Sequence, residues 1–89
     1  MAWIIEYSET AAKLLKKLDK SISKRILDYM DERILNAENP RASGKALSGP
    51  LSTLWRYRVG DYRIICDIQD QRLRVLVLTL GNRKDVYRH

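Results

Sequence analysis

Between two β-rich runs, Leu54 to Val59 and Tyr62 to Ile68, the chain carries the dipeptide Gly60-Asp61. A two-residue connection with glycine first reads as a tight hairpin, because glycine takes the positive φ such a turn demands at little steric cost. A loop of that length also fixes register. Val59 then faces Tyr62, Arg58 faces Arg63, Tyr57 faces Ile64, Arg56 faces Ile65 and Trp55 faces Cys66. Directly paired residues share a face, so one face carries Trp55, Tyr57, Val59, Tyr62, Ile64 and Cys66 and suits burial. The other carries Arg56, Arg58, Arg63 and Ile65. Two arginines directly opposite each other cost a few tenths to about 1 kcal/mol. An anion held between them would offset that cost. The alternative is that Arg58 and Arg63 lie along the sheet and shield Ile65 with their apolar stems.

The remaining elements follow from periodicity. Residues 2 to 7 are β-rich, and Ser8 can cap a helix with Glu9 in its first turn. Ala11, Leu14, Leu15 and Leu18 recur at helical spacing, and Ser21 can cap a second helix carrying Ile22, Ile26, Met30 and Ile34. Asn39-Pro40 ends it, and residues 40 to 50, with Pro40, Gly44, Gly49 and Pro50, read as a loop. Leu73 to Leu80 forms a last strand after Asp70-Gln71, a weaker turn signal that would set Asp67 opposite Arg74 as an ordinary cross-strand ion pair. The order β-α-α-β-β-β implies an α+β fold with two N-terminal helices packed on a mainly antiparallel sheet. With 89 residues, the expectation is one domain over 1–89 whose modest core leaves room only for a surface site or shallow groove.

The charge is unevenly distributed. The chain has 17 Lys and Arg against 11 Asp and Glu, a net +6. Residues 1 to 40 are balanced, seven against seven; residues 41 to 89 hold ten bases, eight of them arginine, against four acids. Arginine's planar fork matches phosphate oxygens, so a phosphate-facing or acid-facing surface is expected in the second half; a basic surface serving solubility alone is the plainer reading. The start, Met1-Ala2-Trp3-Ile4-Ile5-Glu6, has no basic leader, and its apolar run is far shorter than a signal or a membrane span, which predicts a cytoplasmic protein without a membrane partner. Cys66 lies in an apolar run and reads as a small core residue. One cysteine, one histidine (His89) and no clustered carboxylates predict no metal site and no cofactor.

After the last strand comes Gly81-Asn82-Arg83-Lys84-Asp85-Val86-Tyr87-Arg88-His89. Gly81 is expected to turn the chain at the sheet's end, bringing Arg83 and Tyr87 back toward the arginine face. Taken alone, Tyr87 equally suits an aromatic packed on the sheet edge.

The runs WRYRVGDYRII over residues 55–65 and GNRKDVY over residues 81–87 resemble the RelE/ParE superfamily of bacterial toxins, and most closely its RelE branch. The resemblance spans essentially the whole chain. It implies a microbial-ribonuclease-like fold and a toxin that enters the ribosomal A site on the small subunit and cleaves mRNA there. It also implies a RelB-like antitoxin, through which alone operator DNA is bound to repress the operon. By position, the catalytic set falls on Arg63, Arg83 and Tyr87. Arg56 and Arg58 stand where the RelE branch usually has lysines, and the tail between Gly81 and Tyr87 is two residues shorter than in some members. Arginine keeps its proton, so these positions suit phosphate binding, joined by Lys45 and Lys84. The implied chemistry is attack of the ribose 2′-hydroxyl on the adjacent phosphate, with cations stabilising the phosphorane-like transition state. Tyr87 is the implied base and Arg83 the acid or charge stabiliser, with His89 a lesser alternative base. Two rivals remain: a ParE-like toxin that inhibits DNA gyrase without cleaving RNA, and a simple basic binder of nucleic acid.

Overall fold

The structure, a computed structural model, describes residues 3–84. The hairpin forms as the dipeptide dictates: β3 (Trp55–Val59) pairs antiparallel with β4 (Tyr62–Gln69) in the expected register, from Val59 opposite Tyr62 to Trp55 opposite Cys66. Gly60 has φ +60° and Asp61 keeps a negative φ, the pattern of a type II′ turn. Further elements are β1 (Ile4–Tyr7), α1 (Glu9–Lys17), α2 (Lys20–Tyr29), β2 (Lys45–Ala46) and β5 (Arg74–Asn82). The strands form one sheet in the order β1-β5-β4-β3-β2, antiparallel except where β1 runs parallel to β5.

Ser8 caps α1 as expected, its Oγ accepting from the Ala11 N–H at 3.0 Å. Ser21 does not cap α2: that helix starts two residues earlier, after Asp19, whose side chain makes no capping bond. It continues as a π-helical turn, Met30–Leu35, and ends there. Asn39 instead caps a short 3₁₀ turn, Pro40–Ala42, accepting from the Arg41 N–H at 2.9 Å. The helices cover one sheet face. Ala11, Ile26, Met30 and Ile34 are buried against Tyr57, Val59, Ile64, Cys66, Val75 and Val77, so the face that looked apolar in sequence is the buried one.

Three expectations change. The stretch 40–50 is not all loop, because Lys45–Ala46 pairs with Arg56 and Trp55 as the edge strand β2. The β4–β5 connection is not the two-residue turn Asp70-Gln71. Asp70–Arg72 close a 3₁₀ turn, and Leu73 follows in the left-handed region at φ 49°. The longer connection sets Gln69, not Asp67, opposite Arg74. Arg74 therefore bonds Gln69 at 2.6 Å and pairs with Glu6 on β1 at 3.2 Å. Finally, Gly81 does not turn the chain. It lies inside β5, which runs on to Asn82.

One irregularity shapes β5. Ile65 faces Thr79 and Cys66 faces Val77, leaving Leu78 as the extra residue of a bulge. Beyond it, Ile64 faces Leu80 and Arg63 faces Gly81.

Candidate anion-binding face

The sheet face without helices carries two rows at one end. Lys45 on β2 pairs with Arg56 on β3, which pairs with Ile65 and then Thr79. In the next row Arg58 pairs with Arg63, which pairs with Gly81. Four cations thus form two like-charge cross-strand pairs side by side, each unfavourable by a few tenths to about 1 kcal/mol. The opposite end of the same face is arranged differently: Arg74 meets Glu6, and Asp67 accepts from Gln69 at 2.9 Å. Off the face, Arg41 and Asp70 make a bidentate pair at 2.8 Å that holds the Asp70 carboxyl below its usual range. Among the described residues, no carboxylate pairs with Lys45, Arg56 or Arg58.

Arg63 is the most enclosed of the four, only 8% exposed. Its Nη1 reaches the Tyr62 carbonyl at 3.5 Å, and Gly81 across the ladder puts no side chain over it. Ile65, between Arg56 and Thr79, is 4% exposed although no helix covers that face. Other side chains therefore cover it, a use to which long arginine stems are suited.

The position of Lys45 rests on a loop pinned to β3. Tyr57, fully buried, donates its hydroxyl to the Pro40 carbonyl at 2.5 Å, and the Trp55 indole N–H donates to the Ser43 carbonyl at 2.7 Å. Gly44 makes this contact possible. Its φ is +82°, and a β-carbon there would lie 2.3 Å from the Arg56 carbonyl oxygen and 2.6 Å from the Trp55 Nε1.

Arg83 lies at the hairpin end of the sheet, its N–H donating to the Asp61 carbonyl at 2.8 Å, and Lys84 follows with its N–H on Asn82 Oδ1 at 3.1 Å. Both side chains are exposed. Tyr87 and His89 lie outside the described residues. Cys66 is fully buried and burial pushes its thiol up; burial likewise raises Tyr57, and Tyr7 to about 12. None of these three groups ionises near neutral pH.

Sequence reading missed one feature. At the β2 edge a cleft of about 420 Å³ is lined by Lys45, Ala46, Leu47, Ser48, Leu51 and Arg56. Leucines in a stretch rich in glycine and proline gave no periodic signal that could have placed them beside two cations.

Comparison with known proteins bears on what this face meets. The family model of the ParE toxin of type II toxin-antitoxin systems matches residues 5–87. Toxin RelE of Mycobacterium tuberculosis is 32% identical over 84 residues, covering 94% of this chain and 84% of that protein. Toxin RelG of the same organism is 27% identical over 88 residues, covering 99% of each. Among solved structures, the RelBE2 toxin-antitoxin complex of M. tuberculosis superposes with a TM-score of 0.84 at 25% identity, covering 96% of this chain and 95% of that one.

Proposed function

The chain belongs to the RelE/ParE toxin family of type II toxin-antitoxin systems, and from that premise we propose that it is a ribosome-dependent mRNA endonuclease, active in the cytoplasm and held in check by a cognate antitoxin. The observation that carries the reading is the pair of cationic rows, Lys45–Arg56 and Arg58–Arg63, on the sheet face that the helices leave open. The antitoxin is supported by the RelBE2 complex, whose toxin chain this one resembles over nearly its full length.

In the proposed reaction the 2′-hydroxyl of the nucleotide before the scissile bond loses its proton to Tyr87. The oxygen attacks the adjacent phosphorus, the bond to the 5′-oxygen breaks, that oxygen takes a proton from water, and the products are a 2′,3′-cyclic phosphate and a 5′-hydroxyl. Charge builds on the non-bridging oxygens in the transition state, where fixed guanidinium groups act most strongly. Arg63 takes this role, with Arg56, Arg58, Lys45 and Lys84 binding phosphates, and Arg83 at the leaving oxygen. Arg63's enclosure keeps its head in one orientation, so little reorganisation accompanies reaction. Tyrosine ionises ordinarily near pH 10, and neighbouring arginines favour its phenolate. A weak base on a shallow face needs its substrate aligned from outside, which accords with a requirement for the ribosome.

The matched family model is that of ParE, which favours a second reading, inhibition of DNA gyrase without RNA cleavage. Inducing the toxin without antitoxin and mapping mRNA 5′ ends alongside gyrase-dependent DNA breaks separates the two. Cuts within codons of translated messages are expected; DNA breaks with intact messages would refute the nuclease.

A further inference from the structure

We propose that the cleft at the β2 edge is a subsite for one nucleotide of single-stranded RNA, flanking the scissile phosphate, with Lys45 and Arg56 on a phosphate and Leu51 against the base or sugar. The inference rests on the RNA-cleavage reading and adds a recognition element to it. Its about 420 Å³ falls within the roughly 300–1,000 Å³ typical of small-ligand clefts. Two of its lining residues are the cross-strand pair Lys45 and Arg56, so the cleft continues the cationic rows. Lys45 on β2 lies two strands across and one row along from Arg63 on β4, about 12 Å. That is the reach of a neighbouring nucleotide, not of the same phosphate.

The apolar wall is what distinguishes this cleft from the rest of the face. Leu51 is 50% exposed, and the other large exposed apolar side chains among the described residues, Ile4 and Leu27, do not line it. Leu51 is held in place: the turn Gly49–Leu51 is closed by Ser52 N–H to the Gly49 carbonyl at 3.1 Å and Leu54 N–H to the Leu51 carbonyl at 2.9 Å. Leu47 N–H then donates to the Leu54 carbonyl at 3.1 Å. A rigid apolar surface beside fixed cations matches a nucleotide, which offers a flat base face next to a phosphate. Arg56 adds a second indication. Its Nε is buried without a hydrogen-bond partner, which leaves the terminal nitrogens to carry the guanidinium's contact with a phosphate.

The test uses the full chain, leucine-methyl-labelled, titrated with a trinucleotide whose 2′-hydroxyls are methylated to block cleavage. The Leu47 and Leu51 methyl resonances should shift along with the backbone amides of Arg56, Arg58 and Arg63. Leu51→Ser should weaken binding about five- to tenfold, whereas Leu27→Ser, on α2, should leave it unchanged. On translating ribosomes, Leu51→Ser should redistribute the nucleotides found beside the cut. Shifts at the arginines with still leucine methyls, no binding of the trinucleotide, or methyl shifts induced only by an acidic peptide would each overturn the subsite. If the wild type cuts no message, the nuclease reading falls on its own, and the methyl titration still decides the cleft.

Discussion

Replacing Gly44 by alanine tests how the loop positions Lys45. A left-handed conformation costs an L-residue about 1–2 kcal/mol. The added carbon would also sit 2.3 Å from the Arg56 carbonyl oxygen, 2.6 Å from Trp55 Nε1 and 2.9 Å from Tyr57 Cδ1. All three atoms belong to backbone or to a hydrogen-bonded ring, so the loop must lift. Lifting breaks the bond from Trp55 to Ser43, and a part-buried donor left without its partner costs about 1–3 kcal/mol. The total is about 2–5 kcal/mol, against about 4–13 kcal/mol of stability for a chain of this size. Gly49 provides the control. It too has positive φ, +69°, but a β-carbon there would meet nothing within 4 Å, so Gly49→Ala should cost only the backbone term of about 1–2 kcal/mol. Urea denaturation followed by tryptophan fluorescence and circular dichroism measures both. With a urea slope of about 1–3 kcal/mol per M for small proteins, the two midpoints should separate clearly. Equal midpoints would refute the close-approach argument.

Three further outcomes are expected. Arg58→Ala and Arg83→Ala, both at exposed side chains, should relieve growth inhibition while circular dichroism is retained. Arg63→Ala should lower mRNA cleavage about 10²–10³-fold, and Tyr87→Phe should slow it; full toxicity of the arginine variants would contradict the assignment. Burial raises Tyr7 to about 12 and raises Tyr57 also. Because these folded values lie above the unfolded value of about 10, their stabilisation is complete below about pH 10 and is lost as pH rises through about 12. Of the five tyrosines, these two should ionise only as the protein unfolds in an alkaline titration, and tyrosinate absorbance for all five at about pH 10 in a still-folded protein would contradict it. Cys66 should resist thiol reagents until denaturant is added, since burial both encloses it and disfavours its thiolate; rapid labelling of the native protein would be inconsistent with that placement.

The parts of the fold legible in the sequence are those fixed by local chemistry. Gly60-Asp61 specified both turn and register, and with them the shared face of Arg56, Arg58 and Arg63. Ser8 capped α1 because a serine before an amphipathic run has an N–H within reach. The β4–β5 connection was not legible, because Leu73 holds a positive φ that no glycine or asparagine announces. That one residue moved Arg74 from Asp67 to Glu6, a partner on a strand 68 positions away. Strand β2, two residues long, falls below any periodicity, yet it supplies the Lys45–Arg56 pair. The residue that stands across the ladder from Arg63 was equally hidden, since Gly81 reaches that rung only through the irregularity in β5.

The bulge at Leu78 governs that last feature. Were β5 to continue in the register set by Cys66 and Val77, Ile65 would meet Leu78, Ile64 would meet Thr79, and Arg63 would meet Leu80. A leucine side chain would then stand beside the guanidinium on the open face, and Gly81 would fall opposite Tyr62 on the helix side, leaving a gap there. One surplus residue, spent in a kink two rungs away, shifts the parity of the strand so that its glycine meets the arginine and Leu80 enters the core. Deleting Thr79 would remove the surplus residue, and an unbulged strand would again set Ile64 opposite Leu80 and Arg63 opposite Gly81. Whether Arg63 meets a glycine or a leucine thus depends on one bulge and not on the identity of the arginine.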